Sequence, residues 1–174
     1  GGLLIGVGLA LPLGLAAAVF RGALVDHLSR VVALIGASLP AFWLAFLLII
    51  LFAVEWKWLP VSGRSSPRHL VLPALALGLG IAAPLMRLTR SSLLEVLGQD
   101  YIRTAHAKGL AQSRVLLGHA LRNALIPVVT VIGMSFGHLL GGSVIIETIF
   151  AWPGIGKLMI DGIANRDYPL IQAY

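Results

Sequence analysis

The chain has 174 residues, 58% of them hydrophobic and 11% charged, with a mean hydropathy of +0.93. A soluble domain carries roughly a quarter charged residues, so an ordinary soluble enzyme is excluded, as is disorder, which requires low hydrophobicity. The absence of cysteine excludes a disulfide scaffold, a thiolate metal site and a cysteine nucleophile, and despite a net charge of +6 the apolar content points to a helical membrane protein, not a nucleic-acid binder.

Crossing a bilayer takes about 20 apolar residues, with a range of about 17 to 25. Four uncharged stretches qualify, at residues 1–20, 31–54, 70–86 and 123–146, and a fifth opens at Pro169. The third is short, about 26 Å at 1.5 Å per residue, but His69 and Arg87 can snorkel at its ends. None alternates with period two, so helices are expected, since only helices and closed barrels satisfy the backbone in lipid. The chain starts Gly-Gly and stops at Tyr174 within an apolar run, and reads as an internal piece of a longer protein.

The spans place the connections alternately on two sides. Residues 21–30 and 87–122 hold eight Lys and Arg, net +5, whereas 55–69 and 147–168 hold five, net +1. The positive-inside rule puts the first pair in the cytoplasm. Trp56, Trp58 and Trp152 then fit an outer aromatic belt.

Within the spans, small residues recur every fourth position: Gly2, Gly6, Ala10, Gly14 and Ala18; Ala74, Gly78 and Ala82; Gly133, Gly137 and Gly141. Such stripes let backbones approach closely, either for bundle packing or to line a path or a sliding surface. Pro12, Pro40, Pro73, Pro84 and Pro127 fall in or near spans, where an interior proline removes a hydrogen bond and kinks the helix. His138 is the one ionisable side chain in the middle of a span, and an intramembrane ionisable group is a functional hypothesis by default. The blander expectation is a neutral ring bonded to a neighbouring helix, with Glu147 reaching interfacial water.

No Gly-x-Ser-x-Gly elbow, His-Glu-x-x-His helix, P-loop or acidic metal cluster occurs, so no catalytic residue or metal ligand is assigned. His106 and His119 read as solvated surface. The segment 87–122 is too long and patterned for a simple connector. Asp100 can cap a helix, Tyr101–Lys108 makes two turns with Lys108 near the negative end of the dipole, and Gly109 sits where a left-handed C′ residue belongs. Ser113 can cap a second helix running into the fourth span. The short helix is either a docking element or an interfacial surface helix. Beyond the last full span, Trp152-Pro153-Gly154-Ile155-Gly156 suggests a defined backbone path, read either as an outer gate or binding-protein contact made by Trp152, Pro153, Gly154 and Gly156, or as a tight re-entry into the last span.

Three segments carry a family resemblance. Tyr101-Ile-Arg-Thr-Ala-His-Ala-Lys-Gly-Leu110, followed by His119-Ala-Leu-Arg-Asn-Ala-Leu-Ile-Pro127, resembles the cytoplasmic signature loop of ABC-importer permeases of the dipeptide/oligopeptide/nickel group. Ser38-Leu-Pro-Ala-Phe-Trp43 and Glu147-Thr-Ile-Phe-Ala-Trp-Pro-Gly-Ile-Gly156, continuing to Arg166-Asp-Tyr-Pro-Leu-Ile-Gln172, resemble the corresponding stretches. The general loop has Glu-Ala-Ala where this chain has Arg103-Thr104-Ala105, and Pro127 lies 18 residues past Gly109. That departure is similar to the first permease of the peptide-group pair.

The resemblance implies an all-α, type I permease fold as a single domain over 1–174, with a cytoplasmic coupling loop at 87–122, outer loops at 55–69 and 147–168, and six helices in the intact protein. Tyr101, Arg103, Thr104, Ala105, His106, Ala107, Lys108, Gly109 and Leu110 would form the coupling helix and its exit, seated in a cytoplasmic ATP-binding subunit. A second permease and an extracytoplasmic binding protein are the further partners, with membrane lipid around them. ATP and magnesium would be held by the ATPase subunits, leaving this chain without a cofactor. The implied setting is the plasma or inner membrane of a prokaryote, and the cargo peptides or nickel chelates. A self-sufficient channel or secondary transporter would need charged sites in its spans, and only His138 offers one. An intramembrane enzyme or anchored scaffold would lack any nucleophile and base.

Overall fold

The computed structural model describes residues 1–140 and 144–173, and every regular element among them is a helix. Helix α1 (Gly2–Val19) lies alongside α4 (Val71–Leu97), the two running in the same direction. Their small-residue stripes are the reason they fit. A Cβ on Gly6 would stand 2.9 Å from the Gly78 carbonyl oxygen, one on Gly14 2.8 Å from that of Met86, and one on Gly78 2.8 Å from that of Gly2. Backbone therefore meets backbone along this seam, the close approach that replaces hydrophobic drive inside lipid. The stripe on α7 (Leu121–Leu140) behaves differently: Gly133 and Gly137 face open space, and Gly141 lies outside the described residues.

The stretch 31–54 is not one straight span. Helix α2 (Leu24–Ser38) and α3 (Ala41–Leu48), which runs on through a wide turn at Ile49–Glu55, meet at 104°. The cause is local. Pro40 has no N–H to continue the ladder, and it forces Leu39 into an extended conformation with φ −90° and ψ 124°. Helix α4 corrects a second boundary, because it continues past Met86 to Leu97, 27 residues or about 40 Å. Residues 87–97 are thus a helical extension of the span, not loop. Among the described residues, three helices are long and apolar enough to cross a membrane, and the bent pair makes a fourth if counted as one.

A turn-like lead-in, α6 (Gln112–Arg114) and the wide helical turn Val115–Ala120, runs without a break into α7. Residues 147–168 also differ from the expected loop. They hold the end of α8 (Val144–Ile149), all of α9 (Ile155–Ala164) and the first residue of α10 (Tyr168–Ala173).

Near the start of α2, Asp26 is 1% exposed and fully partnered. It accepts from Arg90 Nε at 2.7 Å and Nη2 at 2.9 Å, and from the Gly22 N–H at 3.0 Å, with Arg30 at 3.4 Å. A forked guanidinium–carboxylate pair fixes orientation as well as distance, so α2 is pinned to α4 at this level. Two cations, Arg30 and Arg90, are engaged by Asp26.

Candidate functional site

The short helix α5 (Asp100–Ala107) stands between α4 and the lead-in to α7. Its start departs from expectation. Gln99 occupies the cap, Asp100 is already helical, and its carboxylate lies 3.4 Å from Arg103 on the surface without capping the backbone. Ser113 likewise caps nothing, since Ala111 precedes α6. The exit agrees with expectation. Gly109 has φ +76°, the Gly109 N–H donates to the His106 carbonyl at 2.9 Å, and the Leu110 N–H reaches back to Ala105 at 3.4 Å. These two bonds make a Schellman closure, which needs a left-handed residue at Gly109.

The helix has two distinct faces. Ile102 and Ala105, 1% and 7% exposed, are buried in a cluster with Ala18, Leu93, Val115, Ala120 and Ala124, and Leu110 packs against it. Ala105 therefore packs in this chain's own core, with Leu110 partly buried against it. Arg103, Thr104, His106, Ala107, Lys108 and Gly109 lie on the outside. Tyr101 is half-exposed, and its hydroxyl accepts from Asn123 Nδ2 at 2.8 Å. Nearby, Ser92 Oγ donates to the Ala124 carbonyl at 2.8 Å. Sequence reasoning missed both links. The first ties α5 to α7 and the second ties α4 to α7.

The turn Trp152–Gly156 is held from within. Glu147 Oε2 accepts from the Lys157 N–H at 2.7 Å, at the third residue of α9, and the Glu147 carbonyl accepts from Trp152 at 2.8 Å. Glu147 thus caps α9 and does not simply reach interfacial water. A Cβ on Gly154 would overlap the Glu147 carboxyl, and one on Gly156 would lie 2.8 Å from Val144 Cγ2. Both glycines are explained by close approach. Trp152 is half-buried, leaving Pro153 and Ile155 as the exposed members of the turn.

His138 lines a cavity of about 800 Å³ between the α2–α3 bend, α4, α7 and α8. The expected hydrogen bond to a neighbouring helix is not made: the ring is exposed and bonds to no other described residue. A second cavity of about 460 Å³ opens beside Glu147 and Trp152, sharing Leu77, Leu139 and Ile146 with the first as walls.

Comparison with known proteins is unambiguous about kinship. The family described as binding-protein-dependent transport system inner membrane component matches residues 10–174. The glutathione transport system permease protein GsiC of Escherichia coli K12 is 52% identical over 160 residues, and that of Salmonella paratyphi A 50% identical over 163. These alignments cover 92% and 94% of this chain but 52% and 53% of the relatives, so the chain spans about half their length. All-helical, apolar and matched over nearly its whole length, the chain belongs to the family of binding-protein-dependent transport system inner membrane components.

Proposed function

We propose that this chain is the membrane-spanning permease part of an ATP-driven importer for peptide-class solutes. The observation that carries the reading is the family match over residues 10–174, joined to relatives named for glutathione transport. Glutathione is itself a small peptide. The group resemblance also admits nickel chelates, but the named relatives favour the peptide class. In this reading the chain is the first permease of a pair, working with a second permease, cytoplasmic ATPase subunits that hold ATP and magnesium, and an extracytoplasmic binding protein.

The division of α5 into two faces supports a coupling role for it. Its inner face is anchored to α1, α4 and α7, while Arg103, Thr104, His106, Ala107 and Lys108 remain available to an ATPase subunit. Closure of the ATPases would push this rigid unit and switch the spans between two packings. At the outer end, Pro153 and Ile155 are the residues through which the turn would meet a gate or the binding protein.

The test uses the assembled importer in proteoliposomes with Arg103→Glu/Lys108→Glu and, separately, Ala107→Trp. These outward-facing changes should leave the subunit in the membrane but abolish the stimulation of ATP hydrolysis by loaded binding protein, and with it peptide uptake. Unchanged stimulation and uptake in both variants would refute the coupling role.

A further inference from the structure

The cavity at the bend has an unusual wall. Two prolines leave carbonyls there without their ladder donor. Pro84 has no N–H to give the Gly80 carbonyl one turn earlier, and Pro40 has none for Gly36. Gly80 and Gly36 both line the cavity, as do Pro84 and the bend residues Leu39 and Ala41. A Cβ on Gly80 would meet nothing within 4 Å, so the backbone there is not covered by a neighbour. Opposite stands the His138 ring, without a hydrogen bond to any other described residue. The rest of the wall is aliphatic, with Phe42. The cavity is thus lined by two residues whose carbonyls lack their ladder donor and by one imidazole, which in its neutral form offers one N–H donor and one acceptor.

We propose that this cavity is a way-station for the transported solute, in which the Gly36 and Gly80 carbonyls accept the amide or ammonium N–H groups of a short peptide and His138 donates to its carboxylate. This rests on the importer reading above. At about 800 Å³ the space lies within the range of pockets that enclose small ligands, about 300 to 1,000 Å³. Its polar groups suit a peptide better than a lipid tail, because an acyl chain would leave two carbonyls and an imidazole unpaired in an apolar setting. Glycine and proline are the reason the polar wall exists. Gly80 leaves its backbone uncovered, whereas Gly36 is closed on its Cβ side by Ala83 at 3.3 Å and offers the carbonyl at the end of α2.

The experiment uses the complete importer in proteoliposomes, with a tripeptide and its C-terminal amide as probes. His138→Leu should cut tripeptide uptake about tenfold or more, the loss expected for one hydrogen bond to a charged group, while the amide loses much less. His138→Gln, which keeps an N–H donor, should recover part of the tripeptide rate. Because the chain lacks cysteine, Phe42→Cys provides an independent readout: a water-soluble thiol reagent should modify it, and the tripeptide with loaded binding protein should slow the modification. If the wild-type importer moves neither probe, the peptide reading falls and takes this ligand with it. If the wild type moves the tripeptide but His138→Leu keeps its rate and its preference over the amide, the site alone is overturned. Failure of the reagent to reach Phe42→Cys in an importer active with the tripeptide would mark the cavity as lipid- or protein-filled and overturn it equally.

Discussion

Gly109 and Ala105 lie four residues apart in one motif, yet the structure gives them opposite sensitivities. Gly109 has a left-handed φ of +76° and open space around its Cβ direction. Gly109→Asn should therefore be nearly silent in thermal unfolding of the solubilised subunit, whereas Gly109→Val should cost about 1 to 2 kcal/mol from backbone strain alone. Ala105→Glu places a carboxylate among Ala18, Leu93 and Val115. It should cost about 3 kcal/mol or more and show as reduced subunit in the membrane fraction, before any question of coupling arises. The glycine was legible in the sequence because a helix exit is a local rule. The direction of Ala105 was not, since a two-turn helix reveals which residues share a face but not whether that face meets its own chain or a partner. Glu147 teaches the same lesson: its role as a cap depends on α9 folding back over it, which composition does not reveal.

At the level of elements, the uncharged runs and small-residue stripes located most of the long helices, and the stripe on α1 found its partner on α4. Pro40 marks a kink in the sequence but not a 104° break, and nothing there foretells the Asp26–Arg90 pair. The bend at Leu39–Pro40 is invisible to a hydropathy window, because leucine and proline interrupt no apolar run even though they stop a helix. The Asp26–Arg90 pair joins residues 64 apart in sequence, beyond any local spacing rule. The α1–α4 seam gives a sharp contrast. Gly14→Leu should prevent the close approach to Met86 and Thr89 and sharply lower the yield of folded subunit, while Gly133→Leu, which meets nothing within 4 Å, should leave the subunit's own thermal unfolding unchanged. For the ion pair, Arg90→Ala leaves Asp26 buried with only a more distant cation, Arg30, and should cost about 3 to 5 kcal/mol. Asp26→Asn/Arg90→Gln removes both charges and keeps polar partners. It should recover much of the lost stability, and thermal unfolding of the three proteins side by side decides the matter.

For the whole molecule, the direction of the chain is the quantity on which every functional statement turns. Helices α1 and α4 run in parallel, and α5 and its basic neighbours follow α4 at the end where Asp26 and Arg90 meet. The aromatic group of Phe52, Trp56 and Trp58, with ring centroids 4.6 to 6.2 Å apart, lies at the other end near the start of α4. Charge and aromatic side chains thus lie at opposite ends of the helices, and the positive-inside rule predicts α5 in the cytoplasm with the tryptophans outside. Ser65 and Ser113 are exposed at the two ends, and the chain has no cysteine to interfere. In the intact subunit, a membrane-impermeant thiol reagent applied to cells should label Ser65→Cys and spare Ser113→Cys, with any outer barrier first permeabilised. In inside-out vesicles the pattern should reverse. Labelling of Ser113→Cys from outside would place α5 on the face away from ATP, and the coupling role proposed for Arg103, Ala107 and Lys108 would then have no partner to act on.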